Sequence, residues 1–271
     1  MGKNMNTETT LDTGTDKLTL TLTGHTATLV INNPPANTWD EESLPALSRT
    51  ISALDNNKDI YALVVTGQGD RFFSAGADLK LFADGDKARA RKMARLFGQA
   101  FETLGKYKGV SIAAINGYAM GGGLECALAC DLRIVEKQAI LALPEATVGL
   151  LPCAGGTQNL PWLVGEGWAK RMILCGERVS AEKAVTIGLA EEAVDTGEAL
   201  NKAVEIAARV ARQSPSSVEV CKRLLMAARS NPMQHALPLE RELFVDLFDT
   251  QDQKEGVNAF LEKRQAHWKN G

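Results

Sequence analysis

Nowhere in the 271 residues is there an unbroken apolar run of about eighteen, the length a membrane-spanning helix needs. No such helix, and no membrane partner, is therefore expected. Histidine is scarce: His25, His235 and His267 are scattered, which leaves histidine-based catalysis and a histidine-rich metal site without support. The five cysteines (Cys126, Cys130, Cys153, Cys175 and Cys221) are odd in number and hold no C-x-x-C pair, so the usual zinc and dithiol spacings are missing. Free thiols of this kind suit a reducing compartment, and a cytoplasmic location is expected. There is no G-x-S-x-G elbow and no H-E-x-x-H, and Gly117–Gly123 lacks the Lys-Ser/Thr ending of a phosphate-binding loop. No excess of positive charge exists either: the net charge is −3, with basic residues spread along the chain. That argues against a nucleic-acid partner, which needs a concentrated basic face, but leaves room for a small anion. Acid–base work falls to carboxylates.

The composition that remains, 45% apolar and 23% charged, is that of an ordinary globular chain. At this length a fold buries roughly 70–75% of its extended-chain surface, so its core needs no disulfide or structural metal. The exception is Met1–Asp16, polar and Thr-rich without an apolar signal core, which is expected to be a disordered end rather than a signal peptide.

Leu18–Leu22 and Ala27–Ile31 alternate with period two around Gly24 and predict a hairpin. The paired prolines of Asn32–Thr38 demand a loop, and apolar residues at helical spacing follow from Asp40 to Leu54, with Asp40 as a candidate cap. Tyr61–Thr66 and Val110–Ile115 are continuous apolar runs that predict buried strands, with an amphipathic helix at about Asp86–Tyr107 between them. A helix is expected from Gly121 to Cys130, then short strands at Leu132–Val135 and Ala139–Leu143. From Gly156 onward the pattern is helical, and the alternation of strands and helices is expected to stop near residue 155. The class is α/β, with an all-helical C-terminal part.

Asn116–Asp131 carries the most chemistry. Three glycines, Gly121, Gly122 and Gly123, open a helix whose first-turn amides have no helical partner and whose dipole favours a negative oxygen. Glu125, three residues after Gly122, leaves nearly the same face. The same glycines would also serve plain tight packing, with Glu125 a first-turn charge. Phe73–Lys80 is a second glycine-containing loop that either supplies another amide donor or is a strand-to-helix turn capped by Asp78. Leu143-Pro-Glu-Ala146 is equally open, since Pro before Glu is common at helix starts.

Together these segments are specific. Phe73–Lys80, Asn116–Glu125, Pro144-Glu145 followed by Ala154–Gln158, and the tail Asp252–Arg264 resemble the crotonase (enoyl-CoA hydratase/isomerase) superfamily, from about residue 17 to 269, and within it the hydratases. The resemblance implies a crotonase-like spiral of ββα units over residues 17–198 and an all-helical C-terminal trimerisation part over 199–271, giving a homotrimer or a hexamer built as a dimer of trimers. It implies an acyl-CoA thioester of fatty acid β-oxidation as ligand, with coenzyme A as part of the substrate, no separate cofactor and no metal. It places oxyanion-hole amides at Ala77 and Gly122 and catalytic carboxylates at Glu125 and Glu145. Ala77, Asp78, Leu79 and Lys80 would border the coenzyme A moiety, and Phe244 and Lys263 would reach a neighbour's acyl and coenzyme A sites. Many hydratases have Gly where this chain has Cys153, so Cys153 is expected to narrow the pocket.

The implied reaction is hydration of a trans-2-enoyl-CoA to a 3-hydroxyacyl-CoA. A Δ3-Δ2-enoyl-CoA isomerase needs only one proton shuttle, and the presence of both glutamates favours hydration. A non-catalytic acyl-CoA- or RNA-binding relative is the other alternative, against which both carboxylates and the dispersed charge weigh.

Overall fold

The computed structural model describes residues 8–271. Thr9–Leu11 is β1, and the alternating pair Leu18–Thr23 (β2) and Thr26–Ile31 (β3) forms the expected antiparallel hairpin, with Leu18 opposite Ile31. Gly24, at φ 56°, takes the left-handed turn conformation that glycine tolerates without cost. Ser43–Asp55 is α1. Asp40 stands ahead of its cap position: Oδ1 accepts the amides of Glu42 and Ser43 at 3.0 and 2.9 Å and shapes the turn into the helix.

Ala62–Gly67 (β4), Phe72–Ser74 (β5) and, after a 3-10 turn at Leu79–Phe82, Lys87–Gly105 (α2) follow. Asp86 caps α2 by accepting the Ala88 amide at 2.7 Å. Next come Val110–Ile115 (β6), Tyr118–Met120 (β7) and Gly122–Ala129 (α3). Leu132–Glu136 (β8) and Ile140–Ala142 (β9) lead through a 3-10 turn at Glu145–Val148 to Gly156–Leu174 (α4). Val179–Ser180 (β10), Ala181–Thr186 (α5) and Glu192–Val194 (β11) precede the last helices, Ala199–Val210 (α6), Pro215–Ala227 (α7), Met233–Asp246 (α8) and Gln251–Leu261 (α9).

The strands form a 7-stranded sheet in the order β1-β2-β3-β4-β6-β8-β11 and a 4-stranded sheet in the order β10-β9-β7-β5. A strand of the larger sheet is followed by a short strand of the smaller one and then a helix in β4–β5–α2, β6–β7–α3 and β8–β9–α4. This repeat is the ββα spiral. Successive residues of β4 serve opposite faces: Leu63 and Val65 enter the main core, whereas Ala62 and Val64 pack against Ala199, Ala203 and Ala207 of α6. The two-sided burial explains why β4 and β6 read as continuous apolar runs.

Two expectations fail. The alternation of strands does not stop near residue 155, since β11 lies parallel to β8 with Glu192 opposite Ile134, and β10 pairs with β9. At two and three residues, β10 and β11 are too short for period-two alternation to register; their pairing partners define them. Within the expected disordered end, Thr9–Leu11 pairs with β2, although its side chains are exposed and leave no burial pattern to read. The rest of that segment, Met1–Thr7, lies outside the described residues.

From Ala199 on, every element is helical. Lys222 docks α7 on the core, its Nζ donating to the carbonyls of Tyr107 and Gly109 at 2.6 and 3.0 Å and to Asp131 at 2.7 Å. Buried Asp252 of α9 accepts from Ser214 and Ser216 at the start of α7 and from the amides of Lys269 and Asn270. No helix among the described residues is long and apolar enough to cross a membrane.

Candidate active site

The site begins where two backbone segments touch. Gly76, at φ 88°, lies in the loop after β5; a Cβ there would stand 2.9 Å from the Gly122 nitrogen and 2.7 Å from the Met120 carbonyl. The loop is pinned from the other side, because Trp39 donates to the Gly76 carbonyl at 2.8 Å and accepts from the Asp78 amide at 3.3 Å. Between those bonds the Ala77 amide has no acceptor among the described residues, and neither has the amide of Gly122 at the first position of α3. Adjoining segments thus carry two free N–H donors, one of them on the positive end of a helix dipole. Gly121 gives α3 its sharp entry at φ 51°, its own amide held by the Ala142 carbonyl at 2.9 Å.

Glu125 sits in the first turn of α3, only 3% exposed. Its Oε1 accepts the amides of Ala154 and Gly156 at 2.8 and 2.9 Å, both from the loop leading into α4. Burial raises its carboxyl pKa, while the Gly156 and Ala154 amides oppose the shift by favouring the anion. Glu145 opens the 3-10 turn after β9 and reaches the start of α3, where a Cβ on Gly121 would lie 3.1 Å from its Oε1. Burial pushes the Glu145 carboxyl up to about 7; its own backbone amide works against the rise and the charge of Glu125 adds to it. Its Oε2 is buried without a hydrogen-bond partner, one of three such side-chain atoms among the described residues and the only carboxylate oxygen of the three. Burial thus raises both carboxyls, but two amide donors oppose the rise at Glu125, whereas Glu145 is pushed to about 7.

The Cys153 thiol stands beside both, pushed up to about 11 by burial and then by the Glu125 and Glu145 charges. Ala77, Gly122, Glu125, Glu145 and Cys153 therefore converge. Asp78 does what a capping residue does, accepting the Lys80 amide at 3.1 Å, while Leu79 and Lys80 are exposed beside it. Within one chain Phe244 and Lys263 share no hydrogen bond or ring contact with these residues; Phe244 packs edge-on against Phe248, and Lys263 follows α9 at φ 55°. Sequence reading missed Gly76 as the contact to Gly122, and missed Ala154 and Gly156 as the donors that hold Glu125. The pair Gly155-Gly156 was the available signal, but the direction of a backbone amide leaves no trace in residue type.

Residues 23–271 match the family model described as enoyl-CoA hydratase/isomerase. The chain belongs to this family. A short-chain-enoyl-CoA hydratase of Clostridium acetobutylicum is 36% identical over 242 residues, 89% of this chain and 93% of that protein. A crotonyl-CoA hydratase of Syntrophomonas wolfei is 35% identical over 243 residues, covering 89% of this chain and 94% of the relative. Among solved structures, Pseudomonas aeruginosa DspI superposes with a TM-score of 0.92 at 67% identity, covering 94% of this chain and 97% of its own.

Proposed function

We propose that this enoyl-CoA hydratase/isomerase family member is an enoyl-CoA hydratase, adding water reversibly across the double bond of a trans-2-enoyl-CoA to give a 3-hydroxyacyl-CoA. The observation that carries the reading is the unlike pair of carboxyls, Glu125 bound by two amides and Glu145 raised to about 7, beside the free amides of Ala77 and Gly122.

The thioester carbonyl accepts from Ala77 and Gly122. Ionised Glu125 takes a proton from water as the water oxygen bonds to Cβ; the double-bond electrons shift through Cα, and charge collects on the carbonyl oxygen. Two fixed donors stabilise that charge, each being worth ~10²–10³ in rate. As the enolate collapses, Cα takes the proton of Glu145. Return of the proton from Glu125 to Glu145 through solvent restores the pair. Coenzyme A enters as part of the substrate, bordered by Ala77–Lys80, and the steps need no further cofactor.

The proposal extends to assembly. Leu225, Phe244 and Phe260 on α7, α8 and α9 are more than half exposed, a surface that a trimer or a dimer of trimers would cover while bringing Phe244 and Lys263 to a neighbour's site. The free thiols suit the cytoplasm, and fatty acid β-oxidation is the proposed setting.

The deciding experiment compares hydration of crotonyl-CoA with isomerisation of a 3-enoyl-CoA, then measures exchange of the α-hydrogen of a bound acyl-CoA in deuterated solvent. Glu125→Gln and Glu145→Gln should each lower hydration by roughly 10²–10⁴-fold. Exchange should survive in Glu125→Gln and vanish in Glu145→Gln, with acyl-CoA affinity measured alongside. The reverse pattern exchanges the two roles, and undiminished hydration in both variants rejects the mechanism.

A further inference from the structure

The free amides of Ala77 and Gly122 stand on segments far apart in the chain, and three aromatic rings run from one segment to the other. Trp39 marks the first end. Its backbone donates to Gly76 and accepts from Asp78, on either side of Ala77, with which it forms an isolated parallel bridge. Its indole meets the ring of Phe101 at a centroid distance of 5.7 Å and an angle of 74°. Phe101 meets Phe97 at 5.7 Å and 74° as well. Phe97 marks the second end, where a Cβ on Gly122 would lie 2.9 Å from its Cε1.

We propose that Trp39, Phe101 and Phe97 are positioning residues that set the spacing of the two amides, and through it the polarisation of the thioester carbonyl. This rests on the hydratase reading and deepens it by naming what aims its oxyanion donors.

Geometry is the first argument. Phe97 and Phe101 are four residues apart on α2 and so share one face of that helix. Both ring pairs take the edge-to-face arrangement that aromatic side chains favour. Burial is the second. Trp39 is 0% exposed, and Phe97 and Phe101 are 3% exposed. At interior packing density no void takes up a displacement. A small tilt of one ring relieves a local contact, but a shorter row needs a ring removed. The third is the way Trp39 is held. Its Nε1 is buried without a hydrogen-bond partner, so ring packing rather than a polar tether fixes the side chain. The chemistry needs this precision. An oxyanion is stabilised by donors about 2.7–3.1 Å away, and a misplacement of about 1 Å costs roughly 10²-fold. Neither amide has an acceptor of its own among the described residues to aim it.

The test reads the carbonyl stretching band of bound butyryl-CoA, labelled with carbon-13 at the thioester carbon, by infrared difference spectroscopy. Two well-aimed donors shift that band to lower frequency than in free butyryl-CoA. Trp39→Leu and Phe97→Leu, at opposite ends of the row, should each lose most of the downshift. Each should also lower kcat for crotonyl-CoA by roughly 10-fold to 10²-fold with KM little changed, since the donors matter most in the transition state. Trp39→Phe restores a ring and should recover most of the downshift and of kcat. Leu20→Ala, which removes core volume in β2, serves as the stability control and should keep the wild-type band. Thermal melts identify the folded variants, and Phe97→Leu carries the comparison alone where Trp39→Leu does not fold. A wild-type band and kcat in the folded leucine variants would overturn the proposal, as would an equal loss in Leu20→Ala or no recovery in Trp39→Phe. A wild type that leaves the band of bound butyryl-CoA unshifted would instead reject the oxyanion donors, and the hydratase reading with them.

Discussion

The amide of Gly156 donates to Glu125 Oε1 at 2.9 Å, and a Cβ on the same residue would lie 3.0 Å from that oxygen and 2.8 Å from Cβ of Pro152. One glycine thus holds the carboxylate and leaves it the space to be held. Gly156→Ala should push Glu125 off its two amides. A misplacement of about 1 Å costs roughly 10²-fold in turnover. Steady-state hydration kinetics should show the loss in kcat, with KM for crotonyl-CoA nearly unchanged, because the free amides of Ala77 and Gly122, the proposed thioester donors, are untouched. A change confined to KM would contradict the positioning role.

In the proposed mechanism Glu145 links activity to pH. With its carboxyl at about 7, the proton-donating form disappears as pH rises through neutrality, so kcat/KM should decline above about pH 7. Glu145→Gln should remove that limb from the small residual activity.

Stability should respond in the opposite sense to the usual paired carboxylate. The folded-state pKa is raised above the unfolded value, so the folded protein binds more protons between about pH 4.5 and 7, and Glu145 lowers stability as pH rises across that window. Glu145→Gln should therefore stabilise the fold at pH 8 by about 1–2 kcal/mol, discounted for residual solvent at the site, and by almost nothing at pH 4. Denaturant titrations at the two pH values check the difference.

Adjacent glycines should behave differently. A Cβ on Gly123 would lie 2.1 Å from the Ser74 carbonyl oxygen, backbone that cannot move without opening the contact between α3 and β5. Gly123→Ala should cost about 3 kcal/mol, at the upper end for overpacking. A Cβ on Gly122 meets instead the Phe97 ring edge at 2.9 Å, which a tilt of the ring relieves, so Gly122→Ala should melt close to wild type and keep its amide. Gly122→Pro removes the donor at a helix position where proline is accepted, and should lower turnover at least ~10²-fold. Thermal melts alongside hydration rates separate the three.

The sequence by itself determined the elements whose signal is local and long enough to repeat. The β2–β3 hairpin, the buried runs of β4 and β6 and the amphipathic α2 declare themselves through period and turn chemistry. It also placed Glu125 three residues after Gly122 on one helix face, because helical spacing is a local property. Tertiary structure decided what depends on partners distant in the chain. The second sheet is assembled from strands of two or three residues; β9 was legible at Ala139–Leu143, but β5, β7 and β10 have no identity until they pair with their neighbours. The contact of Gly76 with Gly122, the grip of Ala154 and Gly156 on Glu125, and the burial that lifts Glu145 to about 7 each join separate turns of the spiral. Amide direction and dielectric surroundings are properties of the packed chain, and residue type encodes neither.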